Sequence, residues 1–333
     1  MLPVLVAAWR LILKRTRADW LLLAAAGLIV LLSTTLLSSG HIYSSVVALS
    51  GLHRTLADAP VSEANVEVRA RVRPDDFATI DGIVFPELQR LLNPTGGQVV
   101  QTGRSDSFAL PVQPTDRVTD LAVLGYYSGI ENHASLTIGT WPTPEADVVE
   151  TAISESTASL LNLGVGTELT LTNRREETFT LSVRVVGIYR VNDLTDPFWF
   201  EDELELTGVA SGESFTTYGP WIVTPQDFFN RATLIASEVT WRVFPIFDEL
   251  RVPEVSPMRG DINALEQRLN AQVSEPGRFQ IETRLGSILA AAERSLLVTR
   301  TGVLILTVQL VILAAYALVL TAGLIVDQRR VET

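Results

Sequence analysis

The stretch TGVLILTVQLVILAAYALVLTAGLIV, Thr301–Val326, runs for 26 residues without a charged side chain. A second such stretch, WLLLAAAGLIVLLSTTLL, Trp20–Leu37, stands near the other end of the chain and is 18 residues long. As helices rising about 1.5 Å per residue they reach roughly 39 and 27 Å, against an apolar bilayer core of about 30 Å. Both read as transmembrane helices, and the 263 residues from Ser38 to Arg300 form one block held between them. The expected fold class is a membrane protein with two transmembrane α-helices flanking a mixed α+β extracytoplasmic domain on helical stalks.

Orientation follows from the basic residues, which resist transfer out of the cytoplasm. Arg10, Lys14, Arg15 and Arg17 precede the first span, and Arg329 and Arg330 follow the second. Both termini therefore read as cytoplasmic, in a multi-pass protein of the plasma (inner) membrane. The central block carries 35 acidic residues against 20 arginines, a net of −15, while the flanks carry a net of +3. Long domains translocate largely regardless of charge, so this acidity agrees with the orientation without deciding it. It does exclude nucleic acid as a partner, since no basic stripe exists to neutralise phosphates. The chain has no cysteine, so the domain holds without disulfides, and its size can supply a core. A cleavable signal peptide is the rival reading of the N-terminus. The long apolar stretch, the 19-residue leader and the poor cleavage site Ser38-Ser39-Gly40-His41 favour an uncleaved anchor.

Residues 1–19 read as a cytoplasmic amphipathic leader, with Trp9 and Arg10 among apolar residues. After the span at 20–37, Ile42, Val46, Leu49, Leu52 and Leu56 recur at helical spacing, which predicts a helical stalk over 38–60 ended by Pro60. Leu285, Ile288, Leu289, Ala292 and Leu296 repeat the pattern, a second stalk over 285–300 before the span at 301–326 and a cytoplasmic end at 327–333. Leu285, Leu289 and Leu296 are thus packing candidates, and Gln309, polar within the second span, seeks a partner in lipid.

The domain between, 61–284, mixes signals. Val66–Val72 alternates apolar and charged residues, as do Phe179–Val185, and Leu169–Leu171 resumes a strand. Ser154–Leu161 reads as a helix with Ser154 as N-cap and Gly164 as its stop; Asp261 caps a helix through Val273. Strands and helices interleave without βαβ repeats, which favours α+β. Asn93–Gly97, Gly208–Gly219 and Pro253–Gly260 read as loops, the second a candidate divider between two subdomains.

No reaction chemistry emerges. His41, His53 and His133 are too scattered for a zinc site, and neither a Gly-x-Ser-x-Gly elbow nor a Walker loop is present. The chain therefore reads as no enzyme, with no cofactor and no metal, and it does not bind ATP by that loop. Gly164-Val165-Gly166 lacks the third glycine of a dinucleotide fingerprint and reads as a turn. Asp193–Glu205 gathers six carboxylates, a calcium site if their oxygens converge and a solvated loop otherwise. Inside it, Phe198-Trp199-Phe200 either packs locally, plugs into a neighbouring subdomain or contacts a ligand.

Several stretches resemble the permeases of the MacB/FtsX/LolE type, the mechanotransmission (type VII) class of ABC transporters. They are Ala8-Trp9-Arg10-Leu11 before the first span, Gly139-Thr-Trp-Pro142, Asp147–Ser154, Leu161-Asn-Leu-Gly-Val-Gly166, Phe179–Tyr189, and the second span with Asp327–Thr333. The resemblance implies a MacB-like periplasmic core domain, a cytoplasmic ABC-type ATPase as partner, a second or homologous permease copy, and membrane lipid around the spans. It also implies further spans after the second; this sequence stops there, which reads as a fragment or as a loss of those spans. The implied function is a permease subunit that converts ATP hydrolysis in its partner into movement of the outer domain. A two-span signalling receptor shares the layout, and a membrane-tethered enzyme is the third reading.

Overall fold

The computed structural model describes residues 51–111, 113, 118–233, 236–273 and 277–331, with scattered positions between 27 and 50. The leader 1–19, most of the first span, the outer part of the first stalk and residues 332–333 lie outside the described residues. Two compact units result: Thr55–Ala290, and Met1–Arg54 with Ala291–Thr333.

The first unit is built on a single 11-stranded sheet. At one end the order is β11-β1-β10-β2, all antiparallel: β1 is Val66–Val72, β2 Gly97–Ala109, β10 Ser237–Pro245 and β11 Phe279–Glu282. The alternation in β1 does what it predicts on one face, where Val66, Val68, Ala70 and Val72 are buried. Two helices back this lobe, α1 at Phe77–Leu92 and α4 at Val252–Ala271. Ile80, Val84, Leu88 and Leu91 form the apolar stripe of α1, and Val255, Met258, Ile262, Leu265 and Leu269 that of α4.

The rest of the sheet closes on itself. The C-terminal half of β2 pairs with β3 (Asp120–Tyr127), β3 runs parallel to β9 (Thr216–Ile222), and β9 touches β5 (Val149–Ser154). β5 runs parallel to β7 (Thr180–Val191), β7 pairs with β6 (Glu168–Asn173), and β6 returns to β2 through Phe108↔Asn173 and Ala109↔Thr172. Six strands thus make a ring, which removes their edges. One strand serves both lobes because β2 bulges between Arg104 and Ser107, bending and twisting at that point. Outside the ring, β4 (Ala134–Gly139) adds to β7 and β8 (Val209–Ser211) to β9.

Three local expectations are corrected. Helix α2, Glu155–Leu161, is capped by Ser154, whose Oγ accepts from Thr157 N at 3.1 Å, but it stops on Asn162 in the left-handed region and not on Gly164. Helix α4 begins nine residues before Asp261, so Pro253–Gly260 is helical and not a loop. Pro253 falls in the first turn, where the missing N–H has no intrahelical partner, and the Glu254 carboxylate accepts from Arg251 N at 2.9 Å. Gly208–Gly219, read as a loop, instead holds β8 and the start of β9, a hairpin within the sheet. Gly208 itself closes the short helix α3, Glu203–Thr207, at φ 79°.

In the second unit the dominant element is the continuation of α5, which is one helix from Leu285 to Val331. Among the described residues it alone is long and apolar enough to cross a membrane by length and composition. Its side chains Leu304, Ile305, Ile312 and Leu313 are more than half exposed.

Candidate functional site: two mechanical junctions

The first junction lies where the chain enters and leaves the domain. β1, the first strand, and β11, the last, are neighbours, with Glu67↔Glu282 through Ala70↔Phe279 in register. Thr283 Oγ1 donates to Asn65 O at 2.6 Å, Arg284 N donates to Glu63 O at 3.2 Å, and the Arg284 guanidinium pairs with Glu63 at 2.8 Å. That ion pair is solvated and adds less than about 1 kcal/mol. The anchor is apolar: Leu285 and Leu289, one turn apart on α5, have no exposed surface, and Leu56 is buried at the end of the helical run 49–58. Gly286 sits where an added Cβ would come to 2.9 Å from Asn263 Oδ1 of α4, so its lack of a side chain lets α5 start close to that helix. Leu296 is half-buried and Gln309 exposed, both in the second unit.

The second junction is the segment 196–207, which is wedged between the lobes. Asp196 begins it, accepting from Phe198 N at 3.0 Å while its other oxygen meets His133 Nδ1 at 2.6 Å. The His133 ring stacks on Phe198 at 3.9 Å. Phe198 and Trp199 are buried in one cluster with Val100 of β2, Tyr127 of β3, Ala152 of β5 and Tyr189 of β7. Both are core residues, Phe198 at 2% and Trp199 at 0% exposure. Phe200 stays half-buried, in a left-handed conformation at φ 53° beneath the Arg242 guanidinium, 5.0 Å from its ring centre.

Behind the aromatics lies a buried charge cluster. Glu67 and Arg242 are register partners on β1 and β10, and Arg242 Nε meets Glu67 Oε2 at 3.0 Å. Its two terminal nitrogens grip Glu205 of α3 at 2.8 and 2.9 Å, and one also donates to Phe198 O at 3.2 Å. Arg69 closes on the remaining oxygen of Glu67. All three central residues are at most 5% exposed, so every charge here is compensated by a neighbour and not by water. Burial, with the Asp202 charge behind it, raises the Glu205 carboxyl above its ordinary value against the pull of Arg242. Burial pulls Arg242 down, but the carboxylates of Glu205 and Glu67 outweigh it and hold the guanidinium charged. The same burial, beside Glu205, pushes the Tyr127 phenol well up.

Sequence reasoning missed this cluster. Alternation places Glu67 on the solvent face of β1, and the one available signal was Arg242 inside the apolar run Val239–Val243. The six carboxylates of 193–205 do not converge: Asp193 caps Thr195, Asp196 holds His133, Asp202 caps Glu205, and Glu205 holds Arg242. Among the described residues no group of three His, Asp or Glu is placed to hold a metal ion.

The motif stretches meet on β7. Thr140 N donates to Val186 O at 3.0 Å, Gly166 N to Val185 O at 2.7 Å, and Val185 N to Thr167 O at 2.9 Å. Gly139, at φ 84°, and Gly187 allow this crossing, since a Cβ on either would collide with backbone oxygen of the other segment. Trp141 packs on Tyr189 with ring centres 6.0 Å apart, and with Pro142 and Pro225 it lines a cleft of about 170 Å³. That volume is below the range of small-molecule sites, so the motif reads as a packing junction.

No family model and no curated protein matches the chain. Among solved structures it is similar to the extracellular domain of the ABC-type transporter YknZ from Gram-positive bacteria, at 13% identity and TM-score 0.34, covering 65% of this chain and 99% of that one. The periplasmic region of MacB from Actinobacillus actinomycetemcomitans matches at 13% identity and TM-score 0.34, covering 72% and 98%. A domain of a protein described as a permease from Porphyromonas gingivalis matches at 10% identity and TM-score 0.32, covering 68% and 91%.

Proposed function

We propose that this chain is a non-enzymatic permease subunit of an ABC transporter, in which a cytoplasmic ATPase drives movement of the extracytoplasmic domain. The observation that carries the reading is the continuity of α5. The helix that buries Leu285 and Leu289 in the domain is the same helix that carries the exposed apolar stretch Leu304–Leu313. Only Thr283 and Arg284 separate the start of α5 from β11, and β11 pairs with β1, which carries Glu67 of the Glu67–Arg242–Glu205 cluster. The motif resemblance on β7 supports the same family, and the missing ATP loop fits a partner that carries it.

The test is coupling. The chain, co-expressed with a candidate ABC-type ATPase, is compared with a variant carrying Ala291→Gly and Ala292→Pro. Intact co-purification and ATP hydrolysis with loss of transport work supports transmission through α5. Transport unchanged in that variant overturns it.

A further inference from the structure

We propose that the cleft at Trp141 is a docking site for a single arginine side chain on an exposed segment of a partner protein. The inference goes beyond the permease reading and stands without it. The cleft measures about 170 Å³. A cavity of about 150 Å³ accepts a benzene ring, whereas small-molecule sites begin near about 300 Å³. This one therefore holds one side chain and not a metabolite. Its floor is Tyr127, Ile130 and Ile222, each at most 7% exposed, and Trp141, Pro142 and Pro225 complete it. Glu131, exposed, is the one charged residue of the lining.

Hydrogen bonds fix the lining before anything binds. Thr140 N donates to Val186 O at 3.0 Å, Trp141 packs on Tyr189, and Thr143, next to Pro142, donates its N–H and its hydroxyl to Glu150. Thr224 caps the turn Pro225–Asp227, accepting from Asp227 N at 3.1 Å, and His133 N closes the turn Ile130–Asn132 on Ile130 O at 2.9 Å. A preformed pocket costs little ordering to fill. Its chemistry selects the guest. Indole and proline rings make an apolar slot for a methylene stem, and an indole attracts a cationic head group. Among the described residues the Glu131 side chain makes no hydrogen bond or ion pair, which leaves it open to that head group. The nearby basic groups are committed elsewhere, His133 to Asp196 and Arg231 to Ala146 O, Asp147 O and Asp227. A neutral guest would cover the Glu131 carboxylate without pairing it, and an anionic guest would be repelled. Arginine suits the slot better than lysine, because its planar fork both stacks on an aromatic ring and pairs with a carboxylate. The net of −15 on the central block draws a basic protein surface toward the cleft.

The test follows Trp141 itself. The full chain in detergent is labelled with fluorotryptophan, and Trp141→Phe assigns the Trp141 fluorine resonance. Three probes are titrated: an acetylated, amidated heptapeptide of glycine and lysine with one central arginine, the same peptide with citrulline in that place, and free acetylarginine amide. The arginine peptide is expected to shift the Trp141 resonance and to bind about tenfold more tightly than the citrulline peptide, whose side chain keeps the shape and loses the charge. Glu131→Gln, a change at an exposed position, is expected to weaken the arginine peptide about tenfold. The remaining tryptophan resonances should stay in place, which reports an intact fold. Equal affinity for the two peptides, unchanged affinity in Glu131→Gln, or a Trp141 resonance that does not move overturns the site. Acetylarginine amide binding as tightly as the arginine peptide assigns the cleft to a dissolved cation and overturns the protein partner.

Discussion

The two lobes share β2 but bury different chemistry. The helix-backed lobe keeps ionised groups inside, Glu67 and Arg242, completed by Glu205 from the wedged segment. Within the barrel the buried polar groups are instead short and uncharged: Thr151 donates to Ile222 O at 3.0 Å, Ser154 and Thr157 bond each other at 3.0 Å, and the Asn173 side-chain oxygen accepts from Arg175 N at 2.8 Å. A closed ring holds itself through its backbone ladder and needs only small polar groups to finish its ends. A wedge that must sit in one place gains from charges that can be satisfied in one arrangement only, since any other leaves an unpaired ion in the core. The contrast separates a lobe that closes on itself from a lobe that is clamped, and the clamped one also holds β1 and β11, the first and last strands of the sheet.

Breaking the clamp is the largest expected effect. Glu205→Ala leaves the Arg242 guanidinium buried without its bidentate partner and should cost about 3–5 kcal/mol. Thermal unfolding of the full chain in detergent, followed by tryptophan fluorescence, reads this directly, because Trp199, Trp221 and Trp241 are fully buried in the wedge, the barrel and the helix-backed lobe. The Trp199 and Trp241 signals should move to lower temperature while Trp221 follows less, as seen in single-tryptophan backgrounds. Equal shifts at all three would mean that the lobes unfold as one and would dissolve the comparison. Replacing the pair together, Arg242→Met with Glu205→Leu, should recover much of the loss. Next in size is the apolar anchor at the base: Leu289→Ala should cost about 2–5 kcal/mol by the same measurement, with Trp241 reporting first.

Much of the local structure was legible. The alternation of Val66–Val72 and Phe179–Val185 marks β1 and, to within one residue at its start, β7, because each strand has one face against a core. Ser154 was readable as an N-cap because the cap bond reaches only three residues ahead. Ring closure was not readable, since the pairing of β6 with β2 joins distant segments and leaves no periodic trace in either. The charge cluster was hidden for the same reason. Glu67 and Arg242 are 175 positions apart, and a charge in an alternating strand looks the same whether water or a wedge covers it. Phe198-Trp199 could be seen to be unusual from sequence, but which surface accepts it depends on both lobes being in place.

Two further changes probe the barrel alone. Ser154→Ala removes the α2 cap and should cost about 1 kcal/mol, moving the Trp221 signal more than Trp241. A clamp-like response of Trp199 to this distant cap would argue that the barrel and wedge are one cooperative unit.

The smallest effect is a pH slope, and it has opposite sign in the two regions. Glu150 on β5 accepts from the Thr143 hydroxyl at 2.7 Å and from Thr143 N at 2.9 Å, and these donors hold its carboxyl below the ordinary value of 4.5. A depressed folded value means that the unfolded chain takes up the proton first. Glu150 therefore contributes stability above about pH 4.5, and the contribution is lost as pH falls through the lower folded value. The site is largely solvated, so the size stays below about 1 kcal/mol. Glu205 works the other way: burial raises its folded value, so stability from that carboxyl is lost as pH rises through it. Melting the full chain between pH 6 and 3.5 should show Glu150→Gln flattening the acid-side fall of the Trp221 signal, while the Trp199 signal keeps its slope. If Glu150→Gln leaves the Trp221 profile unchanged, the tie between Thr143 and β5 carries no stability, and the loop after Trp141-Pro142 is held by the aromatic contact with Tyr189 and by the Arg231 guanidinium, which donates to Ala146 O at 2.6 Å and to Asp147 O at 3.1 Å.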